Sequence, residues 1–454
     1  SILAGLITIT ALARGLGPEM YGVIGFAVAV ASYFGLLTNF GMDSHGVREI
    51  ARAKAQTPQI VGITLTARLA MAAFAILSLL VGIGLTKPDE TMHAVLVIQA
   101  AGLIFVATNV EFAYQGLQRM TPMACRQITA AITVAGATVV FVSEPTHVLI
   151  AAAIPVVVNL LTATILFIHF RLRVSPITLA IPFSKQRTFV QRSAPVALMG
   201  VLVTIQINVD IVMLGVLRSE FEVGLYAAAS RLFAVAVVLA TLLHGIYLPV
   251  FSESGPGTEA PPQSTATYAQ ILGIVGGAII IVGALLSGPV IDFLFGVKFT
   301  SAETALVILL VSAGLFYFAQ AYGTPLLAWQ SDRAYLKIVG ITAMLNLALN
   351  AILIPIFGIE GAAVATFASY IVLFFILGLV VSNAFRLNYA LLFVKIIALA
   401  IVCTLPVLLL RFMGASISVY EMIFGGVASL IVYVWTCYKL GILKPSKLGQ
   451  FLIQ

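Results

Sequence analysis

Apolar stretches of about twenty residues recur from one end of the chain to the other, separated by short clusters of turn-forming and charged residues. A helix of that length crosses a ~30 Å hydrocarbon core. The stretches fall at 1–13, 21–41, 59–85, 92–117, 124–142, 147–169, 194–217, 223–250, 267–296, 302–328, 334–357, 360–384, 388–410 and 418–438. The pattern predicts an all-α polytopic membrane protein of about fourteen transmembrane helices. The first run stops at Ala13, before Arg14, and is read as the remainder of a first helix. It is not read as a signal peptide, because it has no basic leader and no small-residue cleavage site followed by a hydrophilic domain.

The pattern also repeats. Leu16-Gly17-Pro18-Glu19-Met20-Tyr21-Gly22-Val23 returns loosely as Leu217-Arg218-Ser219-Glu220-Phe221-Glu222-Val223-Gly224-Leu225-Tyr226, an offset near 202. Ala101-Gly102-Leu103-Ile104-Phe105-Val106-Ala107 returns as Ala313-Gly314-Leu315-Phe316-Tyr317-Phe318-Ala319, an offset of 212 that continues from Gln118 to Gln330. Six helices separate each matched pair, and an even number means that the copies point the same way across the bilayer. The expected architecture is two parallel-repeat six-helix bundles around a central cavity, with two further C-terminal helices. The expected boundaries are an N-terminal bundle at 1–170, a basic cytoplasmic linker at 171–193, a C-terminal bundle at 194–385, and helices thirteen and fourteen with the tail at 386–454.

Composition sharpens this picture. Of 454 residues, 61% are hydrophobic and 9% charged, against roughly a quarter charged in soluble domains, so a soluble fold is excluded. The excess of 24 Lys and Arg over 17 Asp and Glu is first a topology signal. With the N-terminus inside, the inner loops and tail hold sixteen of the 24, including Arg48, Arg52, Arg126, Lys185, Arg192, Lys444 and Lys447. The outer loops hold Arg14, Lys87, Arg218, Lys298 and Arg411, which favours both termini inside. The two longest connections are the basic stretch near 170–193, with an amphipathic run from Ile177, Leu179 and Ile181 to Phe189, and a Gly/Pro/Ser-rich stretch near 251–266.

Several chemistries are not indicated. The chain has no GxxxxGK[ST] loop, HExxH or GxSxG motif, and Cys125, Cys403 and Cys437 form no CxxC pair. Neither an enzyme nor a cofactor-binding protein is expected, and nothing points to nucleic acid. The remaining candidates are ionisable side chains inside apolar helices, each costing about 2.5–3.5 kcal/mol at a helix centre and therefore facing a cavity or a partner. Five qualify: Arg68, Glu111, Asp210, Arg231 and Lys395.

Thr108, Glu111, Gln115 and Gln118 share one face of the helix expected at 92–117, a polar stripe suited to lining water. The equivalent positions of the second copy are Gln320, Gly323, Leu327 and Gln330, so the acid is lost there. Gln206 and Asp210 lie one turn apart at 194–217, and Thr342, Asn346 and Asn350 share a face at 334–357. Arg68 and Arg231 either bind a phosphate or pyrophosphate group, for which a guanidinium is well shaped, or neutralise Glu111 and Asp210 as structural ion pairs. Glu111 and Asp210 could alternatively titrate as proton or Na+ coupling sites. Arg48, Glu49, Arg52 and Lys54 follow the second helix, either as a positive-inside signal or as an attraction for anionic membrane lipids. His244 is read as a hydrogen-bonded packing residue, and Lys395 as a snorkelling cation.

The segments Ala13-Arg14-Gly15-Leu16-Gly17-Pro18-Glu19-Met20-Tyr21-Gly22 and Asn39-Phe40-Gly41-Met42-Asp43-Ser44-His45-Gly46-Val47-Arg48-Glu49-Ile50-Ala51-Arg52 resemble the opening of the polysaccharide transporter family. That family belongs to the multidrug/oligosaccharidyl-lipid/polysaccharide flippase superfamily. Glu111-Phe112-Ala113-Tyr114-Gln115-Gly116-Leu117-Gln118, Asp210-x-x-Met213-Leu214-Gly215 and Val223-Gly224-Leu225-Tyr226-x-Ala228-Ala229-x-Arg231-Leu232 continue the resemblance.

The resemblance implies a flippase for undecaprenyl-pyrophosphate-linked oligosaccharide units of O-antigen, capsule or exopolysaccharide, acting by alternating access in a bacterial inner membrane. In that role Arg68 and Arg231 would hold the pyrophosphate, supported by Gln115, Gln206 and Arg52, while Glu111 and Asp210 would balance charge or couple to H+ or Na+. Candidate partners are membrane lipids, a glycan polymerase and chain-length proteins. A peptidoglycan-precursor flippase and a cation-coupled drug antiporter of the same superfamily are the alternatives, and a non-transporting scaffold for glycan synthesis enzymes is an alternative of another class.

Overall fold

The structure is a computed structural model and describes residues 2–86, 88–178, 182–255, 263–329, 332–412 and 419–442. Lys87, Leu179, Ile181, Gln330, Lys444, Lys447 and the middle of the 251–266 connection lie outside the described residues, as does the side chain of Arg411. The described residues form helices without strands: α1 (Ile2–Asn39), α2 (Met42–Arg52), α3 (Thr57–Thr86), α4 (Glu90–Thr108), α5 (Glu111–Gly116), α6 (Met120–Phe141), α7 (Val148–Arg173), α8 (Phe183–Leu217), α9 (Glu220–Ser254), α10 (Gln263–Leu294), α11 (Glu303–Trp329), α12 (Asp332–Phe385), α13 (Ala390–Phe412) and α14 (Val419–Lys439).

Twelve helical segments among the described residues are long and apolar enough to cross a bilayer, where the sequence pattern predicts fourteen. The difference lies at two places where expected neighbours run on through a kink. In α1 the backbone leaves the helix at Gly17 (φ 74, ψ 173), because Pro18 forces the residue before it into extended ψ and only glycine takes this φ at no steric cost. In α12 the deviation is at Gly358 (φ 58, ψ −129), one turn after Pro355. A straight helix of 54 residues would run about 80 Å, far beyond a ~30 Å core, and the Gly358 kink divides it into two lengths that each suit a bilayer.

The chain forms two compact units, residues 1–227 and 228–454. In the first, α1 is the central helix and packs against α3, α4, α6, α7 and α8. Short α2 is amphipathic, burying Met42, Gly46 and Ile50 while its basic residues face outward. It packs on α5, where Gly46 lies against the Phe112 ring and Gly116 against Ile50. The basic stretch from Phe183 onward is helical and forms the first turns of α8.

Two glycines one repeat apart mark a close backbone approach in this unit. A Cβ on Gly22 would fall on the carbonyl oxygen of Glu220, and a Cβ on Gly224 on that of Pro18, both well under 3.0 Å. Gly22 and Gly224 are 202 residues apart, as are Pro18 and Glu220. The contact is therefore reciprocal: each copy offers the same glycine to the same carbonyl position of the other.

In the second unit α10 packs along α11, α13 and α14, and α11 along α12. Its core is aromatic, with Phe318, Tyr322, Phe374 and Phe393 in mutual contact. The amide stripe of α12 is buried. Asn350 donates to Asn346 at 3.0 Å, and Asn346 makes a long bond to Thr366 beyond the kink at 3.5 Å, so these groups tie two helical segments together. His244 and Tyr268 both bond the Thr324 hydroxyl, at 2.9 and 2.8 Å. His244 is thus a hydrogen-bonded packing residue.

Candidate functional site

The site begins with a break in a membrane helix. α4 ends at Thr108, Asn109 is extended (φ −67, ψ 126), and α5 restarts at Glu111. A broken helix frees backbone groups that hydrocarbon cannot satisfy, so such breaks persist only where protein or a water-lined cavity meets them. Here the Asn109 side chain accepts from the Glu111 amide at 3.0 Å, and the Asn109 carbonyl accepts from Arg68 Nη1 at 3.1 Å. The stripe expected on one helix is therefore spread over three pieces: Thr108 ends α4, Glu111 and Gln115 belong to α5, and Gln118 sits in the left-handed region (φ 58) after it. The second copy has no such break, since α11 runs on through Ala321, Tyr322 and Gly323.

Arg68 is fully buried on α3. Its Nη2 donates to Asn39 Oδ1 at 2.7 Å and pairs with Asp43 Oδ1, and its guanidinium carbon lies 5.0 Å from the centre of the Phe112 ring. Its Nε is buried without a hydrogen-bond partner. Asn39 also accepts from the Asp43 amide at 3.2 Å, holding the first turn of α2 after the left-handed Gly41. The acid beside Arg68 is therefore Asp43, not Glu111, and the Asp43 side chain is 45% exposed.

Glu111 has a different partner. Its Oε1 pairs with Arg126 Nε at 2.6 Å, and Gln127 donates to both carboxylate oxygens at 3.3–3.4 Å. Arg126 also reaches Asn159 and Thr162 on α7, each at 3.4 Å, and lies 5.5 Å from the Phe105 ring centre. Arg126, counted among inner-loop charges in the sequence, is inside α6 with a side chain 9% exposed; that of Glu111 is 14% exposed. Arg126, Gln127 and Asn159 border a cavity of about 350 Å³, with Thr8, Ile9 and Val134 completing its wall. A single polar seam thus runs from Asp43 through Arg68, Asn109 and Glu111 to Arg126, Asn159 and Thr162.

Gln115 is half-buried and its amide donates to Met123 Sδ at 3.3 Å. Arg52 is on the outer face of α2, 3.5 Å from Glu49. Asp210 is 5% exposed and accepts the Tyr226 hydroxyl at 2.5 Å, with Gln206 half-buried one turn earlier on α8. Arg231 and Lys395 are exposed on α9 and α13. Arg68 and Glu111 are therefore joined through the Asn109 break, while Arg52 and Asp210 make other contacts. Asn39, Asp43, Asn109, Arg126, Asn159 and Thr162 are not among the candidate site residues named from the sequence. For Asn159 and Thr162 a signal existed, since they are two polar residues on one face of an otherwise apolar helix.

Twelve apolar helical segments among the described residues, with a charged seam inside the bundle, make this a polytopic membrane protein with a built polar site. Residues 1–254 match the family described as Polysaccharide biosynthesis protein, and the chain belongs to that family. A protein of Escherichia coli K12 named as an O-antigen transporter is 21% identical over 81% of this chain and 90% of its own length. A Haloferax volcanii protein named as a flippase of low-salt glycan biosynthesis is 29% identical over 36% of this chain, which spans 35% of that relative. Among solved structures, a lipid II flippase in an inward closed conformation superposes with a TM-score of 0.76 over 97% of both chains at 14% identity. An inward-facing multidrug resistance transporter superposes with a TM-score of 0.68 over 84% of this chain and 94% of its own, at 17% identity. These likenesses describe the fold.

Proposed function

We propose that this protein is a flippase that moves undecaprenyl-pyrophosphate-linked oligosaccharide units of O-antigen, capsule or exopolysaccharide across a bacterial inner membrane, with both termini cytoplasmic. Family membership and a relative named as an O-antigen transporter over four-fifths of the chain support a lipid-linked glycan as cargo. The observation that carries the site is the seam at the Asn109 break, where two arginines and two acids lie within an apolar bundle. In this reading the protein works by alternating access.

The seam suggests how an anion would be handled. Both Nη atoms of Arg68 are engaged, by Asn39, Asp43 and the Asn109 carbonyl, while its buried Nε is unpaired, so a pyrophosphate gains the Nη2 position by displacing the half-exposed Asp43 carboxylate. Exchange of one anion for another on a buried guanidinium avoids leaving the cation unpaired at any step, which would cost several kcal/mol. Glu111 and Arg126 provide the second charge pair, and Asp210, Gln206, Gln115, Arg231 and Arg52 complete the proposed set, with H+ or Na+ as coupling ions at Glu111 or Asp210.

The test is genetic and chemical together. Deleting the gene is expected to accumulate lipid-linked repeats in the membrane and to remove the surface glycan. The wild type restores both, whereas Arg68→Ala, present in the membrane at wild-type abundance, restores neither. Accumulation of the peptidoglycan precursor instead would transfer the cargo to that lipid. Unchanged glycan with altered sensitivity to cationic drugs would overturn the reading.

A further inference from the structure

A second cavity of the first unit, of about 260 Å³, lies at the corner between α2 and the start of α8 and belongs to no part of the seam. His45 and Glu49, one turn apart on α2, form one wall. Lys185, Thr188, Phe189 and Arg192 form the other, spaced along one face of α8. Phe189 is buried and its ring centre is 4.6 Å from that of His45, so this pair fixes the two walls against each other. Lys185, Thr188 and Arg192 are exposed at the rim.

The chemistry of this corner is selective. Lys185 and Arg192 bring two cations to it, and the one acid, Glu49, is already engaged by Arg52 at 3.5 Å. The Thr188 hydroxyl donates back to the Ser184 carbonyl at 2.9 Å, leaving its oxygen at the rim, and the first turn of α8 adds the positive end of a helix dipole. The cavity is smaller than the ~300 Å³ lower end of pockets for drug-sized ligands, which suits a compact headgroup rather than a sugar chain. Amphipathic α2, with its apolar residues inward and Arg48 and Arg52 outward, has the character of a helix lying at a bilayer surface, where lipid phosphates are concentrated.

We infer that the α2/α8 corner binds the phosphate group of a membrane lipid, with Lys185 and Arg192 as its charge partners. Two lipids carry this chemistry: an anionic phospholipid and a polyprenyl phosphate. The site does not depend on the flippase reading, because a phospholipid would occupy it in a protein that carries any cargo.

The test is native mass spectrometry of the purified full-length protein released from detergent after incubation with phosphatidylglycerol, with undecaprenyl phosphate, or with phosphatidylcholine. Phosphatidylglycerol or undecaprenyl phosphate is expected to be retained at about one per protein, and phosphatidylcholine is not. The double variant Lys185→Ala/Arg192→Ala is expected to lower retention about tenfold, and Glu49→Gln to raise it. Retention of phosphatidylglycerol assigns the site to bulk lipid, and its displacement by equimolar undecaprenyl phosphate assigns it to the carrier. Equal retention by the wild type, the double variant and Glu49→Gln, all three with the same thermal unfolding midpoint, overturns the proposal.

Discussion

Alanine at Gly22 or at Gly224 is expected to prevent the first unit from reaching its packed state. Each added Cβ falls on a backbone carbonyl, of Glu220 or of Pro18, rather than on the end of a flexible side chain, so no rotamer change can relieve it. The helices would have to separate, and overpacking on this scale costs about 3 kcal/mol or more. Because the contact is reciprocal, the two single variants should fail alike, and combining them should not rescue either. Serine at Gly17 is also strained, but for a different reason: that position has a left-handed φ with open space around it. Thermal unfolding in detergent, with aggregation followed by size exclusion, reads all three. Wild-type stability of both Gly22→Ala and Gly224→Ala would show that the helices do not cross this closely.

The second large effect is at the Glu111–Arg126 pair. Removing one partner leaves the other charge buried between α5, α6 and α7, which costs roughly 3–5 kcal/mol, so Arg126→Ala and Glu111→Ala should each destabilise strongly. Replacing both with leucine removes the stranded charge, and stability should return to within about 1 kcal/mol of the wild type. Transport should not return, because the seam would have lost both charges and the cavity beside Asn159 its Arg126. The double variant therefore separates structure from function: a stable protein that exports no glycan is expected. A stable and fully active Glu111→Leu/Arg126→Leu variant would reduce the pair to packing.

The sequence made some of this legible and concealed the rest for identifiable reasons. Arg68 and Glu111 stand out because a charge in an apolar run is costly, and the structure draws both into one seam. Arg126 escapes because it sits at the margin of an apolar window, where a loop charge and a buried one look the same. Asn39 escapes because it sits at the very end of the 21–41 run, and Asp43 because it lies in the polar segment that follows, from which it folds back to the buried guanidinium. The break at Asn109 is concealed because Val110 and Phe112 keep the segment apolar and no proline or glycine marks it. The repeat was legible at Gly22 and Gly224 as a matched pair of letters, but that the two letters touch is a tertiary fact. Gly17 and Gly358 show the converse: Pro18 and Pro355 mark these places in the sequence, and the backbone leaves helical geometry there.

The most direct measurement of the central claim is translocation by the purified protein in liposomes. Undecaprenyl-pyrophosphate-linked oligosaccharide with a labelled sugar is incorporated, and the label reachable by an impermeant glycosidase is followed with time. Wild-type liposomes are expected to expose the inner-leaflet pool to the enzyme, while empty liposomes and those with Glu111→Leu/Arg126→Leu should retain it. No movement of the labelled lipid by a folded wild-type protein, under either an imposed H+ or Na+ gradient or none, would contradict the account.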